Sequence, residues 1–289
     1  MNDTTNRAPL ALARVRSGKD TIWAVRSGDA YGPLGTTLSE LLGLSRDEAR
    51  ARIERAAEQA ADGGIPVEAV LAPVDPAQEV WAAGVTYLRS RDGRMEEATD
   101  GTPYDRVYVA ERPELFFKAT GRRVVAHGEP VGVRADSGWD APEPELGIVL
   151  DAHGEIFGFV PGNDASSRSI EGENLLYLPQ AKVYTASCAL GPEIVPSWLT
   201  QQPFDIGMTI TRAGETVFQS STSTDAMARS LTDLADWLFR GLDFPEGTIV
   251  LTGTGIVPGA DFTLTPGDEV TIDIAGVGTL SNPVIGVGR

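Results

Sequence analysis

Three carboxylates near the middle of the chain have the residue types and spacing of a metal site. Glu143 and Glu145 precede one apolar segment, and Asp164 follows the next. His153–Gly154 lies between the two segments and is a plausible two-residue turn of a β-hairpin. A hairpin with this turn pairs Glu143 with Asp164, and it places Glu145 on the same face as Glu143 because side chains alternate along a strand.

The chemistry of this set indicates a hard divalent cation. Three carboxylates at one end of a hairpin repel one another unless a cation lies between them. The set offers oxygen donors and no His or Cys, which favours Mg²⁺, Mn²⁺ or Ca²⁺ over zinc. The alternative is a solvated strand edge, because 41 residues are Asp or Glu and a bulge near Pro161–Gly162 would change the register.

Lysine is rare in this chain and therefore informative. Of the 24 basic residues only Lys19, Lys118 and Lys182 are lysine. A buried lysine can lose its proton, whereas arginine effectively cannot. Lys118 and Lys182 fall in the region around the carboxylates and are candidate site residues; the alternative is that all three are ordinary surface lysines.

Composition limits the class of protein. A net charge of −17 argues against nucleic acid as a partner, because phosphate binding needs clustered positive charge. The single cysteine, Cys188, cannot form an internal disulfide, which is typical of the reducing cytoplasm. Residues 1–15 lack the apolar core of a signal peptide, and no apolar segment has the length of a membrane span. We expect a cytoplasmic protein without membrane partners.

The elements that must position these residues divide into two predicted domains. Residues 1–76 predict a small α+β domain, in which short strands precede a helix. That helix begins with a capping box at Ser45–Glu48 and ends at Gly63–Gly64. Asp75–Pro76 marks the predicted boundary.

Residues 77–289 predict a domain rich in strands. Helices and strands alternate too sparsely for a Rossmann or TIM-barrel architecture. The predicted elements are a strand at 80–87, a hairpin at 124–133, the carboxylate hairpin at 143–164, a helix at 223–239, and strands at 248–255 and 269–274.

Several ordered motifs within residues 80–289 carry a resemblance to a known family. They are Gly84-Val-Thr-Tyr87, Pro113-Glu-Leu-Phe-Phe-Lys118, Glu143-Pro-Glu145, Asn163-Asp164-Ala-Ser-Ser-Arg168, Ala181-Lys182, Gly253-Thr254-Gly255 and Leu264-Thr-Pro-Gly-Asp-Glu-Val270. Together they resemble the fumarylacetoacetate hydrolase superfamily. The resemblance implies an α+β fold with a mixed β-roll catalytic domain, a homodimer or homotetramer, and a divalent metal held by Glu, Glu and Asp. Those ligands map onto Glu143, Glu145 and Asp164.

One departure from the family pattern bears on the reaction. Members that hydrolyse carbon–carbon bonds carry Tyr-x-x-His-x-x-Glu, but counting from Tyr87 the last two positions hold Ser90 and Gly93. Neither residue can deprotonate water near neutral pH. The two histidines, His127 and His153, stand at turn-like positions, and we expect them to be structural or exposed.

The resemblance therefore implies a dehydratase, hydratase or decarboxylase acting on a 2-oxo acid. Segments 112–120, 142–146 and 173–184 favour Mg²⁺-dependent dehydration of a 2-keto-3-deoxy sugar acid of pentose catabolism, through a metal-stabilised enolate. The expected reaction converts 2-keto-3-deoxy-D-arabinonate to 2,5-dioxopentanoate. The alternatives are another activity of the family, carbon–carbon hydrolysis included, and a catalytically decayed protein that binds sugar acids.

Two residues are predicted to carry the chemistry. Lys182 is expected to act as the base or to stabilise the enolate, with a Schiff base as a competing scheme. Glu114 is the next candidate, as a general acid or base. Arg168, like Lys118, could instead only neutralise the acidic site. The predicted substrate contacts are Arg89, Lys118, Gly253 and Thr254.

Overall fold

Strands form most of the regular structure in the computed structural model, which describes residues 8–90 and 102–289. The first nine strands are β1 (Leu10–Ser17), β2 (Asp20–Ser27), β3 (Ala30–Pro33), β4 (Ala69–Leu71), β5 (Glu79–Gly84), β6 (Glu114–Thr120), β7 (Val131–Arg134), β8 (Asp140–Ala141) and β9 (Pro144–Leu150). The others are β10 (Ile156–Asp164), β11 (Ser166–Ser167), β12 (Cys188–Leu190), β13 (Val195–Pro196), β14 (Asp205–Arg212), β15 (Glu215–Ser223), β16 (Thr248–Leu251), β17 (Asp268–Ile274) and β18 (Gly278–Val287).

The helices are short apart from one. They are α1 (Leu38–Leu42), α2 (Arg46–Ala61), α3 (Thr102–Val109), α4 (Arg168–Glu173), α5 (Leu178–Lys182) and α6 (Leu231–Phe239), with 3₁₀ turns at Gly121–Arg123, Leu175–Tyr177 and Thr224–Ala226. None of the helices described for this chain has the length and apolarity needed to span a membrane.

The N-terminal segment forms a four-stranded sheet in the order β3-β2-β1-β4, with α2 packed against it. The predicted capping box is present, because Ser45 accepts a hydrogen bond from the Glu48 N–H and the Glu48 side chain bonds back to Ser45. At Gly32 a Cβ would lie 1.8 Å from the Ala56 carbonyl oxygen, so a glycine lets the sheet and helix approach.

This segment is tied closely to the remainder of the chain. Leu12 and Ile194 exchange two backbone hydrogen bonds of 2.8 Å, and residues from both sides of position 76 share one apolar core. Arg26 and Glu193 form a buried ion pair, in which the Arg26 Nε–H is shared between the two Glu193 carboxylate oxygens at 2.8 and 2.7 Å. The predicted domain boundary at residue 76 stays a prediction.

The central sheet brings the ends of several strands to one edge. Its order is β12-β10-β9-β16-β5-β6, and β13 also pairs with β10. Since β16 and β5 are parallel and the other neighbours antiparallel, the carboxyl ends of β5, β10 and β16 lie at the same edge as the amino ends of β6 and β9. The carboxylates of the sequence motifs stand at this edge.

The sheet is curled, as the predicted β-roll requires. Lys118 of β6 contacts Asp164 of β10, although these strands are not neighbours in the sheet order. A second sheet, β15-β14-β17-β18-β7, packs on the central sheet over a core that includes Ile148, Phe159 and Ile272. The predicted α+β class is confirmed.

The register of the carboxylate hairpin is the predicted one, but its turn is different. Glu145 pairs with Gly162, and the Asp164 N–H donates to the Glu143 carbonyl oxygen at 3.0 Å. The connection spans residues 151–155, where the Asp151 side chain accepts from the N–H groups of His153 and Glu155. A bulge between Ile156 and Gly158 offsets the different turn, so the pairing beyond it is unchanged.

Two other predicted elements are wrong. The proposed hairpin at 124–133 does not form, because β7 pairs in parallel with β18 and Val125 pairs with Ala189. The proposed helix from residue 223 starts later, at Leu231, because Ser230 provides the cap by accepting from the Asp233 N–H. The preceding serines extend β15.

We expect Arg26→Ala to lower the free energy of unfolding by about 3–5 kcal/mol, because it leaves the buried Glu193 carboxylate without its cation. Urea denaturation measures the change. The control is Arg50→Ala, which removes the exposed Arg50–Glu54 pair and should cost less than about 1 kcal/mol. Equal small losses for both variants would contradict the structural role of the buried pair.

Candidate metal centre

The three predicted carboxylates meet in the protein interior. Glu143, Glu145 and Asp164 each offer an oxygen within 4.8 Å of the others, and their exposed fractions are 3%, 1% and 1%. Glu143 and Glu145 are separated by Pro144 at the start of β9, and Asp164 ends the paired β10. Strand alternation and hairpin register thus produce the cluster.

Lys182 lies among these carboxylates at the end of α5. Its Nζ donates to Glu143 Oε1 at 2.8 Å, to Asp164 Oδ2 at 3.0 Å and to Ser166 Oγ at 2.7 Å. An ammonium group has three N–H donors, and each of them has an acceptor here. Lys182 is therefore held in place by three contacts, with 1% of its surface exposed.

Lys118 is fully buried, and its Nζ also has three close oxygen neighbours. Its Nζ forms an ion pair with Asp164 Oδ1 at 2.5 Å, a close contact that lacks hydrogen-bond alignment. It also donates to the carbonyl oxygens of Ala165 at 3.0 Å and Lys182 at 2.5 Å. These contacts join β6 to the segment that carries Asp164 and Lys182. The predicted contact of Lys118 with substrate stays a prediction.

Arg168 is the third buried cation of the cluster. Its Nη2 lies 3.0 Å from Glu143 Oε1, and its Nη1 lies 3.9 Å from Glu171 Oε2. From the sequence we expected Arg168 to be less important than Lys182. The structure shows that the backbone from Asp164 through β11 to α4 places Arg168 in contact with Glu143, a candidate metal ligand.

The three cations are distributed unequally over the three carboxylates. Glu143 and Asp164 receive every ion pair of the cluster, whereas Glu145 has no ion pair with any residue in the described ranges. Burial, followed by the charges of Asp164 and Glu143, raises the pKa of Glu145 well above its ordinary value. Protein cations therefore offset only part of the repulsion.

The donor set fits a hard divalent cation beside Glu145. All the candidate ligand atoms are carboxylate oxygens, the type that Mg²⁺ prefers. A cation there would offset the charge of Glu145, with which neither lysine nor Arg168 forms an ion pair among the described residues. The alternative of a solvated strand edge is wrong, because the cluster is buried.

The Gly253–Thr254 turn supports the cluster from the end of β16. The Gly253 N–H donates to Glu145 Oε2 at 2.7 Å. Its φ is +90°, and a Cβ there would lie 2.0 Å from Thr86 Oγ1, so only glycine fits. Thr254 Oγ1 bonds within its own turn to the Ile256 N–H at 3.1 Å and carbonyl oxygen at 3.2 Å. The predicted contacts of both residues with substrate stay predictions.

Glu114 stands at the same sheet edge. It begins β6, pairs with Gly84, and is half-buried. Its carboxylate lies over Gly84, where a Cβ would be 2.0 Å from Glu114 Oε2. Arg89 is exposed.

The positions of the hydrolytic pair are only partly described. Ser90 is buried, with 4% of its surface exposed, and Gly93 lies outside the described residues. His127 accepts a hydrogen bond from the Ser281 N–H at 3.0 Å. His153 is exposed in the hairpin loop, at the opposite end of the hairpin from the carboxylates. Both histidines are structural or exposed, as predicted.

Two residues of the cited motifs have roles that their spacing did not reveal. Asn163 Oδ1 accepts from the Glu143 N–H at 3.2 Å. Ser166 accepts from Lys182 and donates to the Asp164 carbonyl oxygen at 2.8 Å. Their polar type within a buried strand is the available signal, because such groups need partners.

Comparison with known proteins supports these assignments at the family level. Residues 80–285 match the family described as "Fumarylacetoacetate (FAA) hydrolase C-terminal". A Haloferax volcanii protein named as a probable 2-keto-3-deoxyxylonate dehydratase is 46% identical over 278 residues, covering 94% of this chain and 95% of that protein. The 2-dehydro-3-deoxy-D-arabinonate dehydratase of Saccharolobus solfataricus is 46% identical over 218 residues, 73% of each chain.

A solved structure extends the likeness to the fold. A 2-keto-3-deoxy-D-arabinonate dehydratase complexed with magnesium and 2,5-dioxopentanoate superposes with a TM-score of 0.81 at 35% identity, covering 96% of this chain and 99% of that one.

We expect Glu145→Gln to abolish stabilisation by Mg²⁺ while leaving the metal-free protein as stable as the wild type, or more so. The amide keeps an acceptor for the Gly253 N–H and removes a buried charge that its neighbours repel. Thermal unfolding after EDTA treatment, with and without added Mg²⁺, measures both effects. The control is Asp136→Asn, an exposed carboxylate paired with Arg134, which should keep the full Mg²⁺ response. A normal response in Glu145→Gln would exclude Glu145 as a ligand.

Proposed function

This chain belongs to the fumarylacetoacetate hydrolase family, and from that premise we propose that it catalyses the Mg²⁺-dependent dehydration of a 2-keto-3-deoxy sugar acid. The observation that carries the proposal is a buried carboxylate cluster with the donor set for Mg²⁺. In the sequence, Ser90 stands where hydrolases of the family carry the histidine that activates water. The site thus has the groups to stabilise an enolate and lacks that base.

The proposed substrate is 2-keto-3-deoxy-D-arabinonate, and the proposed product is 2,5-dioxopentanoate. The names of the two similar relatives support this choice together. Once C2 is a ketone and C3 a methylene, C4 is the one stereocentre left in a five-carbon acid. The xylonate and arabinonate derivatives of the D series are therefore the same compound, and both names describe one reaction.

Glu143, Glu145 and Asp164 would hold the metal. When bound, Mg²⁺ supplies a Lewis acid that makes the C3 protons of a 2-oxo acid more acidic. Mn²⁺ and Ca²⁺ are alternatives that the same oxygen ligands accept. Lys118 and Arg168 hold Asp164 and Glu143 in place, and they offset charge that would otherwise push these carboxylates apart.

The geometry favours one of the two roles considered for Lys182. Its Nζ has three neighbouring acceptors, which matches the three N–H donors of an ammonium group. An ammonium group stabilises the negative charge that develops on an enolate oxygen. Action as a base, or as the amine of a Schiff base, needs a free lone pair and would break this arrangement.

Glu114 is then the proposed proton carrier. It is a half-buried carboxylate at the edge where the cluster lies, and carboxylates act in this way when correctly placed. It would take the C3 proton or protonate the departing C4 hydroxyl, so that one molecule of water is lost and a C3–C4 double bond forms. The resulting 5-hydroxy-3-ene is an isomer of 2,5-dioxopentanoate and reaches it by two proton shifts. A C5 proton moves to C3 to give the C4–C5 enol, and the enol hydroxyl proton then moves to C4 to give the aldehyde. Arg89 and Thr254 are proposed to bind the carboxylate or hydroxyl groups.

The proposal extends to the setting of the enzyme. We propose a cytoplasmic homodimer or homotetramer in pentose catabolism, with no nucleic-acid or membrane partner. The net charge of −17 and the burial of the single cysteine, Cys188, support this setting. A decayed protein that only binds sugar acids is the alternative, and the presence of both Lys182 and Glu114 weighs against it.

Product analysis tests the function directly. We expect the purified protein with Mg²⁺ to convert 2-keto-3-deoxy-D-arabinonate to 2,5-dioxopentanoate, followed by the aldehyde proton in NMR spectra, and EDTA to stop the reaction. Borohydride added during turnover should trap no lysine adduct. Binding of the sugar acid without turnover would favour the decayed protein, and cleavage of acylpyruvates would favour hydrolysis.

Two variants test the assigned roles. We expect Glu114→Gln to lower kcat by about 10²–10⁴-fold, the usual contribution of a positioned proton carrier, with little change in Mg²⁺ binding. Lys182→Met should lower kcat strongly and also change Mg²⁺ affinity, because Lys182 contacts two candidate ligands. The matched control is Lys19→Met at an exposed position, which should leave both quantities unchanged. Full activity in Lys182→Met would contradict its role.

A further inference from the structure

Tyr87 has a buried hydroxyl with no role in the proposed dehydration. Only 1% of its surface is exposed, and its hydroxyl has no hydrogen-bond partner among the described residues. Buried hydroxyl groups are nearly always paired, because leaving one unpaired costs the free energy of its lost hydration. Such a group calls for an explanation.

The position of Tyr87 is next to the carboxylate cluster. A Cβ on Gly255 would lie 2.8 Å from Tyr87 Cδ1, so the ring packs on the turn that also holds Glu145. Burial, and after it the charge of Glu145, raises the pKa of the phenol. The hydroxyl therefore feels the Glu145 charge, yet the two groups form no hydrogen bond.

The backbone around Tyr87 is held tightly in an unusual conformation. Val85 has a φ of +55°, which is rare for a β-branched residue. Thr86 Oγ1 donates to the Thr252 carbonyl oxygen at 2.7 Å, and the Thr86 carbonyl oxygen accepts from the Ala228 N–H at 2.8 Å. Strained positions of this kind persist where the surroundings impose them, and they cluster at functional sites.

We infer that Tyr87 is a substrate-binding residue whose neutral phenol donates a hydrogen bond to a carboxylate or keto oxygen of a 2-oxo acid. The Tyr87 phenol can donate one hydrogen bond and has no acceptor among the described residues. The head group of an ionised 2-oxo acid carries only acceptor oxygens. The head group is the part of the substrate that belongs beside the metal ligands, where Glu145 lies. This inference rests on the proposed function for its substrate class.

Stability gives the first test, because it needs neither metal nor turnover. Tyr87→Phe removes the unpaired hydroxyl and keeps the ring, so we expect the metal-free variant to unfold at the same temperature as the wild type or a higher one. The matched control is Tyr31→Phe, which removes a hydroxyl that donates to the buried Glu193 at 3.1 Å. That control should lower the unfolding temperature and leave activity unchanged.

Ligand binding gives the second test. The probe is 2-oxobutanoate, which has the 2-oxo acid head group and lacks a C4 hydroxyl to eliminate. With Mg²⁺ present, we expect it to stabilise the wild type, and we expect Tyr87→Phe to weaken its affinity by about ten- to a hundredfold, the effect of losing one hydrogen bond to a charged or polarised oxygen. The value of kcat/KM for the sugar acid should fall by a similar factor, whereas Tyr31→Phe should match the wild type in both.

The outcomes separate the inference from the function on which it rests. If Tyr87→Phe is less stable without ligand, the hydroxyl has a structural partner and the inference is wrong. It is equally wrong if the variant binds 2-oxobutanoate as well as the wild type does, or if the wild type does not bind it. Failure of the wild type to dehydrate any 2-keto-3-deoxy acid, with 2-oxobutanoate binding still weakened in Tyr87→Phe, would overturn the reaction and keep the residue assignment.

Discussion

The central constraint on this protein is the burial of three like charges in one small volume. Carboxylate oxygens within 4.8 Å of one another repel by at least about 3 kcal/mol for each pair at an effective dielectric constant near 20. A fold can bury such a cluster only if it supplies opposite charge at the same depth. The placement of Lys118, Lys182 and Arg168 answers that demand.

The curl of the central sheet follows from the same demand. Asp164 at the end of β10 needs a cation, and Lys118 reaches it from β6 only because the sheet brings its distant strands together. The short helices after Asp164 supply the others, with Arg168 at the start of α4 and Lys182 at the end of α5. The scarcity of lysine agrees with this reading, since two of the three lysines in the chain serve the cluster.

The sequence predicted the ligands better than it predicted the elements around them. The pairing of Glu143 with Asp164 holds because two differences from the prediction offset each other, namely the longer turn at 151–155 and the bulge near Phe157. Alternation of apolar residues cannot reveal either one. The partner of β7 was missed for a related reason: its parallel pairing with β18 joins residues 153 positions apart, and no local pattern records it.

The distribution of ion pairs and hydrogen bonds over the site could not be predicted from the sequence. Repulsion among the carboxylates was predictable from their spacing, but its uneven compensation was not. Only the structure reveals that the ion pairs of the cluster fall on Glu143 and Asp164, while Glu145 receives one backbone N–H within the described ranges. The unpaired hydroxyl of Tyr87 is likewise invisible in sequence, since an interior tyrosine is usually paired.

Glu145 and Tyr87 are held by the same turn, because the Tyr87 ring packs on Gly255 and the Gly253 N–H donates to Glu145. Among the described residues, Glu145 has no cationic partner and the Tyr87 hydroxyl has no hydrogen-bond acceptor. A carboxylate can accept the hydrogen bond that a phenol donates, yet the two groups form no hydrogen bond with each other. A fold optimised for stability alone would join them or replace both with apolar side chains. Keeping them apart costs stability, and it leaves a place that a cation and an oxygen-bearing anion can fill together. A metal ion chelated by a 2-oxo acid has that combination of charges. The missing interactions of Glu145 and Tyr87 therefore point to the same bound molecule as the positions of the three carboxylates do.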